Sequence, residues 1–189
     1  MTDTVSEKQP VTAIHIRLHP IRTARGLAPD PTVNREIYAL SNEITPLLAP
    51  YCFALRRYLY QILFLCRTET PNAIQSVYHA LKKIPGLIQQ RNCSLEQSRA
   101  TFRFQYAIAA DFQYIEVVPI PVSDISPDPY LFPGMLIERT DKIIRNIPDE
   151  LTNTCMITHA LYENISPAEK ADLPVCYYIM HICCYTSRQ

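Results

Sequence analysis

The amino-acid sequence predicts an α+β fold: an antiparallel β-sheet with a cluster of two to three helices, at about residues 31–84, packed on one face. Apolar side chains recur every three or four positions in that stretch, which is the spacing of an amphipathic helix. From residue 102 onwards they alternate with polar side chains, which is the spacing of a half-buried strand. Helices and strands are therefore segregated along the chain, as in α+β domains and unlike parallel α/β sheets.

The length of 189 residues accommodates one domain with a hydrophobic core. The predicted organisation is a disordered tail at residues 1–10 and a single domain at residues 11–189, with a proline-rich arm at residues 119–133. Basic and acidic residues balance at 18 each, so a nucleic-acid partner is not expected. No stretch is long and apolar enough to predict a transmembrane segment, and peripheral membrane contact is left open.

Residues 12–19 predict the first strand, which Pro20 should end because proline cannot donate a ladder hydrogen bond. One face of this strand is apolar, and the other continues into a basic loop. The histidines and arginines of that polar face and loop are His15, Arg17, His19, Arg22 and Arg25. A solvent-exposed strand face is the simplest interpretation. The alternative is a small basic surface for RNA or lipid head groups.

Proline residues punctuate the helices that follow. Residues 30–31, Asp-Pro, are typical of an N-cap followed by proline at the first helical position, and Pro46 should break this helix. Residues 70–71, Thr-Pro, repeat the signature for a further helix, which Pro85 should end.

The stretch at residues 51–66 is the most apolar of the chain and predicts a buried central helix around which the fold is organised. The side chains expected in its core are Leu59, Ile62 and Leu63. Arg56 and Arg57 interrupt it and are candidates for a partner contact or an anion site. The alternative is that their stems pack while their charged ends reach water or a carboxylate such as Glu36 or Glu43.

Strict alternation at residues 102–108 predicts the clearest strand of the chain, and a second strand at residues 112–118 suggests a hairpin turning at residues 109–111. The remaining predicted elements are a strand followed by a helix or turn at residues 135–147, a strand at residues 154–162, a capped helical turn at residues 166–169 and a strand at residues 175–185. The last strand is apolar on both faces, which predicts a position inside the sheet or against a partner.

Seven cysteines and a polar N-terminus without a signal sequence predict a reducing, cytoplasmic environment with free thiols. We expect no disulfide, no bound metal and no cofactor. The alternative is a zinc site, whose candidate ligands are Cys155, His159, Cys176, His181, Cys183 and Cys184. The absence of a C-x-x-C pair disfavours that alternative.

The sequence contains no G-x-S-x-G, P-loop, H-E-x-x-H or G-x-G-x-x-G motif. It therefore provides no candidate catalytic residue, and the chain is not predicted to be an enzyme.

The proline-rich arm is the strongest interaction signal. Its prolines favour an extended chain, and it ends in three bulky apolar residues, Tyr130, Leu131 and Phe132. We expect these three side chains, together with Arg56 and Arg57, to bind a partner, either a second copy of the chain or another protein. The alternative is that the arm covers its own sheet as a loop.

These observations predict a non-enzymatic protein-interaction or self-assembly subunit that forms homo-oligomers. The order of its elements resembles the globular part of rhabdovirus matrix proteins, although the basic tail and PPxY motif of that family are missing. This resemblance implies a small viral structural, matrix-like or accessory protein. Two alternatives remain open: a small zinc- or thiol-dependent enzyme, and an RNA- or membrane-surface-binding protein.

Overall fold

The computed structural model describes residues 8–22, 32–116, 118–119, 130–131, 135–148 and 151–186. The strands are β1 (Lys8–Arg22), β2 (Cys52–Tyr58), β3 (Gln61–Arg67), β4 (Phe102–Glu116), β5 (Val118–Pro119), β6 (Tyr130–Leu131), β7 (Thr154–Thr158), β8 (Val175–Ile179) and β9 (Ile182–Thr186). The helices are α1 (Val33–Leu48), α2 (Pro71–Gln97), α3 (Met135–Arg145), α4 (His159–Asn164) and α5 (Pro167–Ala171).

Seven of the strands form one sheet in the order β2-β3-β1-β4-β7-β9-β8, and β5 pairs with β6 in a separate ribbon. Every neighbouring pair in the large sheet is antiparallel except β4 and β7. The main core lies between one face of the sheet and helices α1, α2 and α4. The predicted α+β class, with its helices on one face of an antiparallel sheet, is confirmed. Helix α3 packs separately, on the opposite face over β4 and β1.

The first predicted strand is confirmed, but Pro20 does not end it. Strand β1 begins at Lys8, inside the predicted tail, and pairs with β4 along its whole length to Arg22. Its ladder with β3 covers only residues 11–17. Pro20 therefore lies where β1 has β4 on one side and no ladder partner on the other, which is an edge position that tolerates a missing donor.

The predicted central helix at residues 51–66 is wrong. These residues form the hairpin of β2 and β3, with Tyr58 paired to Gln61 across a two-residue turn. Strand β3 is buried on both faces, so apolar residues follow one another without alternation. Such a run does not show the period that distinguishes a strand from a buried helix. Ile62 and Leu63 are fully buried, as expected, whereas Leu59 lies in the turn with 66% of its surface exposed.

Both long helices continue past the prolines that were expected to end them. Pro46 lies inside α1 and Pro85 inside α2. An interior proline costs about 3 kcal/mol in a helix. Buried side chains that follow each proline in the sequence offset that cost. They are Leu48 in α1 and Ile88 and Leu95 in α2. The predicted N-cap of α2 is confirmed, because the Thr70 hydroxyl accepts a hydrogen bond from the Ala73 N–H.

Four later predictions also change. Residues 102–116 form one strand without a hairpin at residues 109–111. Residues 135–145 are entirely helical, and residues 154–162 divide between β7 and α4. Residues 175–185 form two strands instead of one. Met180 and His181 form the turn between these two strands, and both have positive φ. The sequence did not predict this turn because positive φ in a hairpin turn is typical of Asn, Asp and Gly. The predicted cap at Ser166 is confirmed, since its hydroxyl accepts from the Glu169 N–H.

All seven cysteines lie within the described residues, and each is a free thiol. None of the described helices has the length and apolar character needed to cross a membrane.

Candidate functional site

A large cavity lies on the sheet face that α3 partly covers. It has a volume of about 640 Å³ and is walled by β1, the β2–β3 hairpin and α3. The strands contribute His15, Arg17, Arg56, Leu59, Tyr60 and Gln61, and the helix contributes Ile137, Glu138, Asp141 and Arg145. A second cavity of about 270 Å³ adjoins it along β1, and the Arg17 side chain lines both.

Helix α3 can approach the sheet closely because β4 presents alanines beneath it. Ala109 is fully buried against Ile143 and Ile144 of the helix. An ion pair fixes the helix further along the same strand, where the Arg139 Nε lies 3.0 Å from Oδ2 of Asp111. The helix therefore forms a wall of defined position for the cavity.

Asp111 is fully buried, so its ionised form depends on its polar neighbours. The Thr158 hydroxyl donates to Oδ1 at 2.5 Å, and the Gln113 amide donates to Oδ2 at 3.1 Å. Burial raises the pKa of this carboxyl, and the hydrogen bond from Thr158 and the charge of Arg139 oppose that rise without cancelling it. Asp111 thus anchors α3 from below and does not line the cavity.

Three guanidinium groups give the cavity an anion-binding character. Arg17 comes from β1, Arg56 from β2 and Arg145 from α3. Within the described part of the chain, no carboxylate lies at ion-pair distance from Arg17. Arginine presents several N–H groups in a fixed fork that matches phosphate oxygens. Two carboxylates oppose these three cations, so the site favours an anionic ligand that can reach Arg17.

His15 lies at the floor of the cavity and is 2% exposed. Its Nε2 lies 3.1 Å from Oε1 of Gln61, an acceptor oxygen, so the imidazole donates from Nε2. Burial lowers the pKa of His15 and outweighs the effect of the hydrogen bond to Gln61, so the ring is neutral at pH 7. The histidine therefore orients Gln61 without adding charge.

Both carboxylates of the cavity are on α3. Glu138 pairs with Lys142 at 2.8 Å and Asp141 with Arg145 at 2.7 Å, each one turn along the helix. Magnesium ions in phosphoryl-transfer sites take one or two carboxylates together with phosphate oxygens of the substrate. Glu138 and Asp141 fit that donor set and would hold such an ion, whereas the strands contribute no carboxylate to this cavity.

The structure separates the two arginines that the sequence singled out. Adjacent residues of a strand point to opposite faces, so Arg56 lines the cavity while Arg57 packs on α1. The Arg57 Nε donates to the Ser41 hydroxyl at 2.5 Å, and its guanidinium lies 4.8 Å from the centre of the Tyr38 ring. The carboxylates that were expected to pair with these arginines, Glu36 and Glu43, bind Arg91.

The other predicted partner-binding residues are only partly described. Tyr130 and Leu131 form β6, in register with Pro119 and Val118 of β5. Phe132 and most of the proline-rich arm lie outside the described residues. A partner-binding role for Tyr130, Leu131 and Phe132 stays a prediction.

Some residues of this site were visible in the sequence, and others were not. The basic face of the first strand supplies His15 and Arg17 to the large cavity and His19 to the smaller one. Its interpretation as a solvent-exposed face is wrong for His15, which the cavity wall buries. Glu138, Asp141 and Arg145 were missed because residues 135–147 were divided between a strand and a helix. A helical interpretation would have grouped these three side chains at i, i+3 and i+7 on one face.

The candidate zinc ligands do not form one site. Among the described residues, no group of three or more His, Cys, Asp or Glu side chains is arranged to hold a metal ion. Burial raises the pKa of the Cys155 and Cys184 thiols to about 12, so neither is a thiolate at neutral pH. Metal ligation and nucleophilic attack both need the thiolate.

Comparisons with known sequences and structures give different results. No protein-family model matches this chain, and no curated protein matches its sequence. Solved structures do match. The adenylyl cyclase CyaB from P. aeruginosa aligns with a TM-score of 0.70 at 9% identity, covering 97% of this chain and 95% of that one. The guanylyl cyclase Cya2 aligns with a TM-score of 0.64 at 13% identity, covering 96% and 93%.

A third match, the guanylate cyclase domain of RhGC from Catenaria anguillulae in complex with GTP, has a TM-score of 0.65 at 9% identity and covers 96% of this chain and 97% of that one. The fold is that of a nucleotide cyclase domain. Nearly the whole chain takes part in the similarity.

This finding overturns the function predicted from the sequence. A non-enzymatic self-assembly subunit, the "not an enzyme" prediction and the viral, matrix-like interpretation are all contradicted, because the structures that share this fold are adenylyl and guanylyl cyclases. The G-x-S-x-G, P-loop, H-E-x-x-H and G-x-G-x-x-G motifs belong to other folds. Their absence from the sequence is therefore no argument against a cyclase fold.

Proposed function

We propose that this chain is a nucleotide cyclase-like enzyme that binds a nucleoside triphosphate in the large cavity between β1, the β2–β3 hairpin and α3. The observation that supports this proposal best is the cluster of Arg17, Arg56 and Arg145 in that cavity, in a chain with the fold of nucleotide cyclases. Matching structures include a guanylate cyclase domain in complex with GTP and the catalytic core of a rhodopsin-guanylyl cyclase with converted specificity in complex with the ATP analogue ATPαS.

The role of the arginines follows from charge and position. Arg17 and Arg56 come from β1 and β2 and line the cavity from the sheet side, so they bind the phosphate chain in our proposal. Arg145 is held by Asp141 and completes the positive wall on the helix side. A magnesium ion held by Glu138 and Asp141 would neutralise charge on the phosphates.

The proposed reaction is an intramolecular phosphoryl transfer. The 3′-hydroxyl oxygen of the ribose attacks the α-phosphorus, and the bond from that phosphorus to the bridging oxygen of the β-phosphate breaks. The products are a 3′,5′-cyclic nucleotide and pyrophosphate, and the hydroxyl proton leaves to solvent. Such transfers depend mainly on positioning and on charge stabilisation, which arginines supply.

We also propose that the active form is a homodimer. Leu59 and Tyr60 are adjacent at the rim of the cavity and are 66% and 38% exposed, so they offer an apolar contact surface there. The cyclase domains with this fold include one described as dimeric and one described as monomeric. A second copy seated on this rim would cover the exposed pair and close the cavity.

The test is to measure binding and turnover on the purified full chain. Isothermal titration calorimetry with ATP and GTP reports binding, and mass spectrometry of the products after incubation with magnesium or manganese reports cyclisation. The Arg17→Ala, Arg56→Ala double variant should bind at least about tenfold more weakly per arginine removed, since a charge-assisted hydrogen bond contributes about 1.5–3 kcal/mol. Analytical ultracentrifugation of the same samples tests the dimer.

Arg35→Ala is the matched control, because it removes the same charge from α1 on the other face of the sheet, where Arg35 is exposed. It should leave binding and turnover unchanged. The proposal fails if neither nucleotide binds at millimolar concentration, if no cyclic product forms, or if the double variant behaves like the parent.

A further inference from the structure

We infer that Cys176 and Cys183 form an oxidisable dithiol, a modification site at which exchange with a small-molecule disulfide closes a cross-strand disulfide bond. The site lies on the β8–β9 hairpin, at the opposite end of the sheet from the cavity. It is independent of the proposed cyclase function.

The two sulfurs are already in contact. The Cys176 Sγ lies 3.3 Å from the Cys183 Sγ. Cys176 is paired with Tyr185, and Cys183 with Tyr178, so the two thiols occupy diagonal positions on the same face of the hairpin. A disulfide bond is about 2.0 Å long, so the two sulfurs must approach by about 1.3 Å. The two strands must also move closer together, because diagonal positions lie about 7–8 Å apart, beyond the usual Cα separation of a disulfide.

The hairpin can supply that movement. Strand β8 is the last strand of the sheet and has a neighbour on one side only. The side chains around the pair are also open, since Cys176 is exposed and Tyr178 has 78% of its surface exposed. Closure therefore requires no rearrangement of the core. Because the side chains are open, a dissolved reagent can also reach the sulfurs, which it could not do if the pair were buried.

A second cross-strand pair in the same molecule provides the contrast. Cys52 and Cys66 are direct register partners on the β2–β3 hairpin. Cys66 is fully buried, so a dissolved reagent cannot reach it. Of these two pairs, only Cys176 and Cys183 have the exposure that exchange requires.

The chemistry takes two exchange steps. The Cys176 thiolate attacks one sulfur of the small disulfide, which forms a mixed disulfide and releases one small thiolate. The Cys183 thiolate then attacks the Cys176 sulfur and displaces the second small thiolate. The two protein thiols lose two electrons and two protons, and the small disulfide gains both as two thiols.

The site is connected to the body of the domain through Tyr185. Its hydroxyl lies 3.1 Å from Nδ1 of His159, and its ring stacks on Tyr162 at 3.8 Å between centres. Cys183 is the less exposed of the two thiols. We assign it the resolving role and assign the first attack to the exposed Cys176.

The experiment uses oxidised glutathione on the full-length protein. A Cys93→Ser background removes the exposed thiol of α2 that would otherwise take up glutathione. After exchange, thiol titration should show the loss of two thiols, intact mass should fall by two hydrogens, and peptide mapping should link residues 176 and 183. Dithiothreitol should restore both thiols. In the same background, Cys52→Ser should leave this result unchanged.

The single variants separate a dithiol from two independent thiols. Cys183→Ser should trap glutathione on Cys176, and Cys176→Ser should form no intramolecular link. Circular dichroism verifies that each variant is folded. The inference is overturned if glutathione remains attached to Cys176 while Cys183 is present, if both thiols stay reduced, or if the link joins Cys52 to Cys66.

Discussion

The hairpins at the two ends of the sheet are similar in sequence and opposite in environment. Each is rich in apolar and aromatic residues, turns through two residues and carries a cross-strand pair of cysteines. In the β2–β3 hairpin, residues 62–66 are all buried. In the β8–β9 hairpin, Ile179, Cys184 and Thr186 are buried, whereas the face with Cys176 and Tyr178 is open.

The difference arises from what covers each hairpin. The main core packs on Phe64, and a second cluster that includes Ile137 of α3 packs on Leu63, so β3 is enclosed on both faces. The outer hairpin receives α3 and its neighbours only on the face of Ile179 and Cys184. Apolar composition therefore does not specify burial. It determines only that a strand tolerates burial, and the neighbouring helices determine where burial occurs.

The largest expected effect comes from replacing one aromatic side chain in each hairpin by alanine. Phe64→Ala in β3 removes a fully buried ring and should lower the free energy of unfolding by about 3–5 kcal/mol. Tyr178→Ala in β8 removes an exposed ring and should change it by no more than about 0.5 kcal/mol. Urea denaturation followed by circular dichroism measures both. Equal losses would show that the outer hairpin is covered in solution.

A smaller effect concerns the segment that leads into the outer hairpin. Glu169 of α5 accepts hydrogen bonds from Lys82 at 2.5 Å and from His79 at 2.7 Å, both on α2. Burial raises the pKa of Glu169, but these two hydrogen bonds and charges outweigh it and lower the pKa overall. Glu169→Gln should therefore cost about 1–2 kcal/mol at pH 7.

The pH dependence of that cost has a defined sign. A carboxyl whose pKa is lower in the folded state stabilises the fold above its unfolded pKa, near 4.5, and the contribution is lost as the pH falls through the folded pKa. The difference between parent and Glu169→Gln should accordingly shrink below about pH 4.5. Glu163→Gln, at an exposed pair with Lys170, is the control and should cost less than about 0.5 kcal/mol. A difference that grows on acidification would contradict the assignment.

The smallest effect distinguishes the two turns. Met180 and His181 have φ angles of 48° and 65°, a conformation that suits Asn and Gly better than side chains of their size. Met180→Asn with His181→Gly should therefore stabilise the fold by about 1 kcal/mol. Neither Leu59 nor Tyr60 has a positive φ, so Leu59→Asn with Tyr60→Gly should give no gain. Thermal denaturation compares the two double variants, and an equal gain would rule out backbone strain as the cause.

Much of the fold was predictable where the pattern had a period. Strand β1, the alternating strand β4 and the caps of α2 and α5 all follow from local sequence. The candidate site was predictable only in fragments. His15, Arg17 and Arg56 were noted as isolated features, because nothing in the sequence indicates that β1 and β2 flank one cavity. Helix α3, which forms its other wall, was divided between two element types.

The sequence by itself determined the α+β class, because segregated periods of 3.6 and 2 leave few other arrangements. It also determined where α2 and α5 begin, through hydroxyl caps followed by proline. Only the tertiary structure decided that residues 51–66 form a hairpin, since a strand buried on both faces and a buried helix have the same apolar sequence. It also brought Arg17, Arg56 and Arg145 together, because their proximity arises from strand order and helix placement, which are properties of the whole chain.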